Sequence, residues 1–264
     1  MARTPGGDLN RRSGAPRSRA TPVSRRGPGA ATAEPDRAIL LLFFPNTMEP
    51  AARRPLKTRE RRWARLLAAW MARSGIRPNA VSIASVAVAG AAGACLALSP
   101  SSGGAARWPW LVAAAALVQL RLLCNMLDGL IAVEGGLGSA VGEIYNDLPD
   151  RLADSLILVG AGLSARALPG GVTLGWLAAL GAMLTAYVRV LGGAVGLAQS
   201  FAGPMAKQHR MFVVTLSCLA SAVEGAAGFP PRILYAGLVV IVAGCAVTAA
   251  RRTAGIARAL KARG

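Results

Sequence analysis

Residues 125–150, NMLDGLIAVEGGLGSAVGEIYNDLPD, carry Asp128, Glu134, Glu143, Asp147 and Asp150, and Asp154 follows four residues later. On both sides the chain turns to Ala, Leu, Val and Gly, the residues of bilayer-spanning helices. A charged side chain near the bilayer centre costs about 3 kcal/mol or more unless it faces a cavity or a partner. Acids in such a place are there for a use, and that use decides how the whole chain is read.

Of the 264 residues, 53% are apolar and 16% charged. Soluble domains carry about 25% charged residues. Six apolar runs follow one another near residues 79–98, 108–132, 139–164, 171–195, 211–227 and 232–250. Each is close to the roughly 20 residues that cross a bilayer as a helix. The expected fold is all-α: a polytopic membrane protein of six transmembrane helices, preceded by an amphipathic juxtamembrane helix.

That first helix is expected over residues 56–74. Trp63, Leu66, Leu67 and Trp70 recur at helical intervals among Arg59, Arg61, Arg62, Arg65 and Arg73, the pattern of a helix lying in the interface. Four regions result: a basic tail at 1–47, the interfacial helix at 48–77, the membrane domain at 78–250 and a basic tail at 251–264. Residues 1–47 are rich in Pro, Gly, Ser and Arg and are expected to be disordered. The apolar run at 38–45 is too short to span a membrane. Met48 opens a more plausible folded product, so translation is expected to start at or near it.

The net charge of +18 is unevenly placed. Seventeen of the thirty Lys and Arg lie in residues 1–77, and Arg251, Arg252, Arg258, Lys261 and Arg263 close the chain. Basic residues beside membrane helices mark cytoplasmic ends and favour anionic lipid heads, so nucleic acid is not the expected partner. The three short loops on the other side hold one arginine each, Arg107, Arg166 and Arg232. The asymmetry predicts both termini in the cytoplasm, in the inner (plasma) membrane of a bacterium, with the acids at the cytoplasmic ends of the second and third spans. Cys95, Cys124, Cys218 and Cys245 are scattered, with no paired spacing and His209 as the single histidine, which argues against zinc and disulfide frameworks.

Seven acidic residues lie beyond residue 78, and six of them fall between Asp128 and Asp154. Arg121, Asn125, Asp128 and Ala132 share one face of the second span, and Glu143, Asn146 or Asp147, Asp150 and Asp154 share one face of the third. The short connection EGGLGSA makes the two spans antiparallel neighbours whose polar faces can meet. Carboxylates gathered in low dielectric repel one another unless cations sit between them. Oxygen ligands suit Mg2+ or Mn2+, and magnesium commonly binds through a few carboxylates together with substrate phosphates.

The spacing N125-x2-D128-G129-x2-A132-V133-x8-G142-x3-N146-x3-D150 resembles the motif D-x2-D-G-x2-A-R-x8-G-x3-D-x3-D of the CDP-alcohol phosphatidyltransferases. RPNAVS at 77–82 and AYVRVLGG at 186–193 are similar to that family's approach to its first span and to its fourth-span Y-x-R region. The resemblance covers about residues 56–250. This chain departs from the motif at Asn125, Asn146 and Val133, a variant with Asn at two of the four Asp positions and Val for the Arg. Each Asn keeps a carbonyl oxygen but removes one negative charge, which disfavours two divalent ions; Asp147 and Asp154 stand where they can restore charge.

The resemblance implies a membrane transferase of phospholipid biosynthesis. It would move a phosphatidyl group from a CDP-linked lipid donor such as CDP-diacylglycerol to an alcohol acceptor, with release of CMP. The implied cofactor is Mg2+ or Mn2+, and the implied assembly is a homodimer among membrane lipids. The metal residues would come from Asn125, Asp128, Asn146, Asp147, Asp150 and Asp154, with Asp150 also the catalytic base. Gly129, Ala132 and Gly142 would let the nucleotide approach closely, although small residues also pack membrane helices. Arg121 is open to two readings, phosphate or nucleotide contact and pairing with Asp128. Arg189, Lys207 and Arg210 would bind the acceptor or its phosphate, or anchor their helices at the interface. Two other readings remain beside the enzyme, a family-fold lipid-binding or partner subunit without turnover and a cation transporter. The transporter is disfavoured because the acids gather at one end of two helices.

Overall fold

The computed structural model describes residues 62–102, 104–134 and 142–263. The expected tail at 1–47, the start near Met48 and most of the connection between the second and third spans lie outside the described residues. Seven α-helices are described: α1 (Arg62–Arg73), α2 (Pro78–Leu98), α3 (Trp108–Glu134), α4 (Gly142–Ser164), α5 (Gly171–Ala194), α6 (Lys207–Ala226) and α7 (Arg232–Lys261), with a single 3-10 turn at Ala105–Arg107. Among the described residues there is no strand. The described part of the chain is all-α, as expected.

Local chemistry sets the helix ends. Pro78 opens α2, where its missing N–H would have had no partner in any case. Gly170 precedes α5 at φ 72°, a left-handed turn that costs glycine little. Arg166 donates to the carbonyls of Ala97, Leu163 and Ser99, satisfying acceptors that the ends of α2 and α4 leave open. Glu224 accepts from the backbone N–H of Ile233, placing negative charge on the first turn of α7. Arg107, read from sequence as a loop cation, is fully buried and donates to Ser164.

Helices α2 to α7 pack as a closed ring: α2 against α3 and α4, α4 against α5, α5 against α7, α7 against α6, and α6 back against α3. The sequence led us to expect α3 and α4 as direct neighbours. They barely touch, because α2 packs extensively along both. Their polar faces instead look into the ring and meet through long side chains. Helix α1 lies on α3, with Ala64 and Ala68 buried against Met126, Leu127, Leu130 and Ile131. Trp63, Leu66 and Trp70 are exposed on its other side.

Four helical stretches, Pro78–Leu98, Ala105–Val133, Gly171–Ala194 and Arg232–Lys261, are long and apolar enough to cross a membrane. Six were expected. The two that fall short, α4 and α6, have 23 and 20 residues, so length is not the reason. They carry Asp147, Asp150, Arg151 and Asp154 or Lys207 and Arg210, and those charges lower their mean hydropathy. Large apolar residues such as Trp176, Leu180, Leu184 and Val240 point outward, as in an integral membrane protein. Helix α7 runs on through residues that the sequence reading assigns to a basic tail at 251–264.

Glycine permits the tightest crossings. A Cβ at Gly160 would lie 2.5 Å from the carbonyl oxygen of Gly93, so α2 and α4 meet backbone to backbone there. At Gly90, one turn earlier on α2, the nearest atom would be 3.9 Å away. Alanine normally favours a helix over glycine by about 1 kcal/mol. We expect Gly90→Ala to leave thermal stability in detergent unchanged or slightly raised. Gly160→Ala should lower it by roughly 1–3 kcal/mol through overpacking; equal melting temperatures for the two variants would contradict the close crossing.

Candidate active site

Inside the ring lies a cavity of about 220 Å3, and Asn125, Asn146, Asp147, Asp150, Arg189 and Lys207 are on its wall. Helix α3 supplies the first of these, α4 the next three, α5 Arg189 and α6 Lys207. Four helices far apart in sequence thus deliver polar groups to one space. Pro149 lies within α4 and has no N–H to offer the carbonyl four residues back, so the helix lacks one rung beside Asp150.

The carboxylates of α4 form a graded series of ion pairs. Asp154, whose side chain is 2% exposed, takes Arg121 on Oδ1 at 2.8 Å and Arg210 on Oδ2 at 2.8 Å. Asp150 takes Arg121 at 3.2 Å and the amide nitrogen of Asn125 at 2.5 Å, both on Oδ1, while Lys207 bonds Oδ2. Asp147, 38% exposed, takes Arg151 at 2.6 Å and Arg189 at 2.5 Å on Oδ1. Each acid therefore holds two cationic partners. Asp128 differs: its Oδ2 accepts from Ser82 of α2 at 2.6 Å, and its Oδ1 is buried without a donor. The Asn125 Oδ1 is likewise buried without a donor.

The structure thus brings together Asn125, Asn146, Asp147, Asp150, Arg189, Lys207 and Arg210, with Asp128 and Asp154 buried. Gly129, Ala132 and Gly142 are not on this cavity's wall. Arg121 pairs with Asp150 and Asp154 rather than with Asp128, because its 0% exposed guanidinium reaches across the ring to α4. Arg210 is equally inward, donating to Thr185 Oγ1, the Met205 carbonyl and Asp154. Among the described residues no three Asp, Glu, His or Cys side chains converge as a metal cluster.

Three contributors escaped the sequence reading. Ser82 orients Asp128, and it sits inside the RPNAVS stretch already noted. Phe201 is on the cavity wall with its ring 5.7 Å from the Arg189 guanidinium, a cation–π distance. Arg252 donates to the carbonyls of Ala202 and Thr185, tying the α5–α6 connection to the bundle. Its signal was the continued helical period from Thr248, hidden by treating residue 251 as the start of a tail.

This arrangement, a ring of apolar helices around a charged nucleus, has counterparts among solved structures. Among the solved structures it resembles are those of phosphatidylinositol phosphate synthase (PgsA1) from Mycobacterium tuberculosis. With CDP-DAG bound, that enzyme aligns at TM-score 0.60 and 21% identity over 74% of this chain and 94% of that chain. Its complex with manganese and citrate gives 0.60 and 21% over 73% and 88%, and its apo form 0.57 and 22% over 71% and 93%. No protein-family model and no curated protein sequence matches this chain.

The ion-pair gradient predicts unequal stability effects. Asp154→Ala would leave the buried Arg210 guanidinium without a carboxylate and Arg121 with Asp150 alone, and should destabilise the protein by roughly 3–5 kcal/mol. Asp147→Ala removes a half-exposed acid and should cost about 1 kcal/mol or less. Thermal unfolding of both variants in one detergent checks the order, and a more damaging Asp147→Ala would reverse our assignment of the buried anchor.

Proposed function

We propose that this chain is a membrane-embedded transferase that moves a phosphatidyl group from a CDP-linked donor, such as CDP-diacylglycerol, to an alcohol acceptor and releases CMP. The observation that carries this reading is Asp150, a buried carboxylate oriented on Oδ1 by Arg121 and Asn125 at the wall of a basic cavity. The fold shared with an enzyme solved with CDP-DAG supports it.

In the proposed reaction the acceptor oxygen attacks the phosphorus that carries the lipid alcohol. A new P–O bond forms, the P–O bond to CMP breaks, and the hydroxyl proton passes to Asp150. With Oδ1 held twice, Oδ2, which is shared only with Lys207, is the oxygen that takes the proton. Arg189 and Lys207 offer phosphate oxygens their charge, and Arg151 holds Asp147 beside them. An apolar groove of about 560 Å3 lined by Ile83, Val86, Ile144, Leu148 and Leu152 runs between α2 and α4 and suits lipid chains.

Mg2+ or Mn2+ belongs to this reading, and the residues present fit such an ion: the Oδ1 atoms of Asn125 and Asp128 are buried, oxygen-bearing and without donors. When bound, a divalent cation would neutralise pyrophosphate charge and stabilise the leaving CMP. Six spans, with α4 and α6 crossing as well, both termini in the cytoplasm of a bacterial cell and α1 in the interface through Trp63, Leu66 and Trp70 complete the proposal. So does a homodimer. A second reading, a lipid-binding subunit without turnover, draws on the double cationic partnering of Asp147, Asp150 and Asp154.

The deciding assay is divalent-ion-dependent release of CMP from CDP-diacylglycerol by purified protein across a panel of alcohols. We expect turnover that EDTA abolishes, and Asp150→Asn should reduce it by roughly 100-fold or more. Donor binding without turnover on any acceptor would favour the subunit reading instead.

A further inference from the structure

The charge count of the nucleus is unusual for a metal centre. Asp147, Asp150 and Asp154 pair with five cationic side chains, Arg121, Arg151, Arg189, Lys207 and Arg210, while Asp128 forms no ion pair among the described residues. Among the described side chains of the nucleus, positive charge already exceeds negative before any ion binds. Divalent ions need uncommitted oxygen donors, and their affinity rises with the number of charged ligands. On α4 Asp147, Asp150 and Asp154 are each paired with two cations, and Asn146 is neutral. Among the described residues the buried side-chain oxygens without a hydrogen-bond partner are both on α3, Asn125 Oδ1 and Asp128 Oδ1, one turn apart.

We infer that this chain holds one divalent cation, on Asp128 and Asn125 of α3, and that the Lys207 ammonium supplies to Asp150 the positive charge a second ion would otherwise bring. The inference deepens the proposed transferase reading and takes from it only that a divalent cation binds. Its geometry is specific. Lys207 enters from the first turn of α6 and meets Asp150 on the oxygen that Arg121 and Asn125 leave open. An ammonium is a compact point charge with three donors, so it can bridge a carboxylate and a phosphate oxygen without a fixed coordination shell. Asn125 completes the arrangement: its Nδ2 serves Asp150, which can only accept, and this turns Oδ1 away from Asp150. Ser82 is the orienting partner of the single carboxylate ligand.

The test is Mn2+ binding to the full-length protein in nanodiscs, counted by equilibrium dialysis and followed by electron paramagnetic resonance, without any turnover readout. We expect one Mn2+ per chain and no Mn–Mn dipolar coupling. Ser82→Ala should weaken that ion by roughly tenfold or more, and Asp128→Asn should do so at least as strongly. The triple variant Asn125→Asp, Asn146→Asp, Lys207→Met should accept a second ion and show the coupling. Two ions on the wild-type chain would overturn the inference, as would no ion at all or a single ion indifferent to Asp128→Asn. The wild-type count stands even where a variant does not fold. One bound Mn2+ with no CMP released would leave this inference standing and remove the transferase reading.

Discussion

Burying carboxylates in a ring of apolar helices is the constraint on which the rest of this structure depends. An isolated buried carboxylate loses several kcal/mol of hydration, which it recovers only through close charge partners and hydrogen bonds. Asp154 recovers it from Arg121 of α3 and Arg210 of α6, two helices that are neighbours in the ring. That pair of contacts ties α3 and α6 to α4 at the centre of the bundle. Arg189 of α5 then reaches Asp147 and Lys207 reaches Asp150, so one helix of acids is gripped by three helices of bases. The helix order follows from the same requirement, since α3 needs only side-chain reach to α4 and leaves the space between them to α2.

Close approach elsewhere makes that reach possible. Gly93 against Gly160 lets α2 and α4 cross at backbone distance, and Gly162 against Gly175 does the same for α4 and α5. Without a hydrophobic driving force between helices in lipid, such contacts and the polar nucleus must supply the specificity of packing. The interior is accordingly small-residued near the crossings and charged near the site, with Leu111, Ile157, Leu158, Leu238 and Ile241 filling the core, while Trp176, Leu180, Leu184 and Val240 point outward.

Much of this was legible in residue type and spacing. The period of Arg121, Asn125 and Asp128 and that of Asp147, Asp150 and Asp154 announced two polar helix faces, and the structure makes them converge. The partners were less legible, because an ion pair between distant helices leaves no spacing in the chain. Arg121 and Asp154 are 33 residues apart, and Arg210 and Asp154 are 56 apart. Ser82 and Arg252 were hidden for a related reason: one hydroxyl among alanines and one arginine among many carry no signal until the fold selects them. Hydropathy also misled in a consistent way, since α4 and α6 fall below the apolar threshold through the charges that build the nucleus.

The departures from the motif that this chain resembles make physical sense as a set. An aspartate at position 125 would place a second carboxylate against Asp150, at a contact now spanned by an amide donor at 2.5 Å, and would need a cation or a proton between them. Asparagine removes that need. Lys207 and Arg121 then balance Asp150, which a chain with more negative charge at the centre would leave to metal ions. The missing arginine at Val133, an exposed position near the end of α3, costs the cluster little when five cations already surround the acids. In the reading proposed above, the two asparagines and the lysine shift the burden of compensation from bound metal to the protein's own side chains.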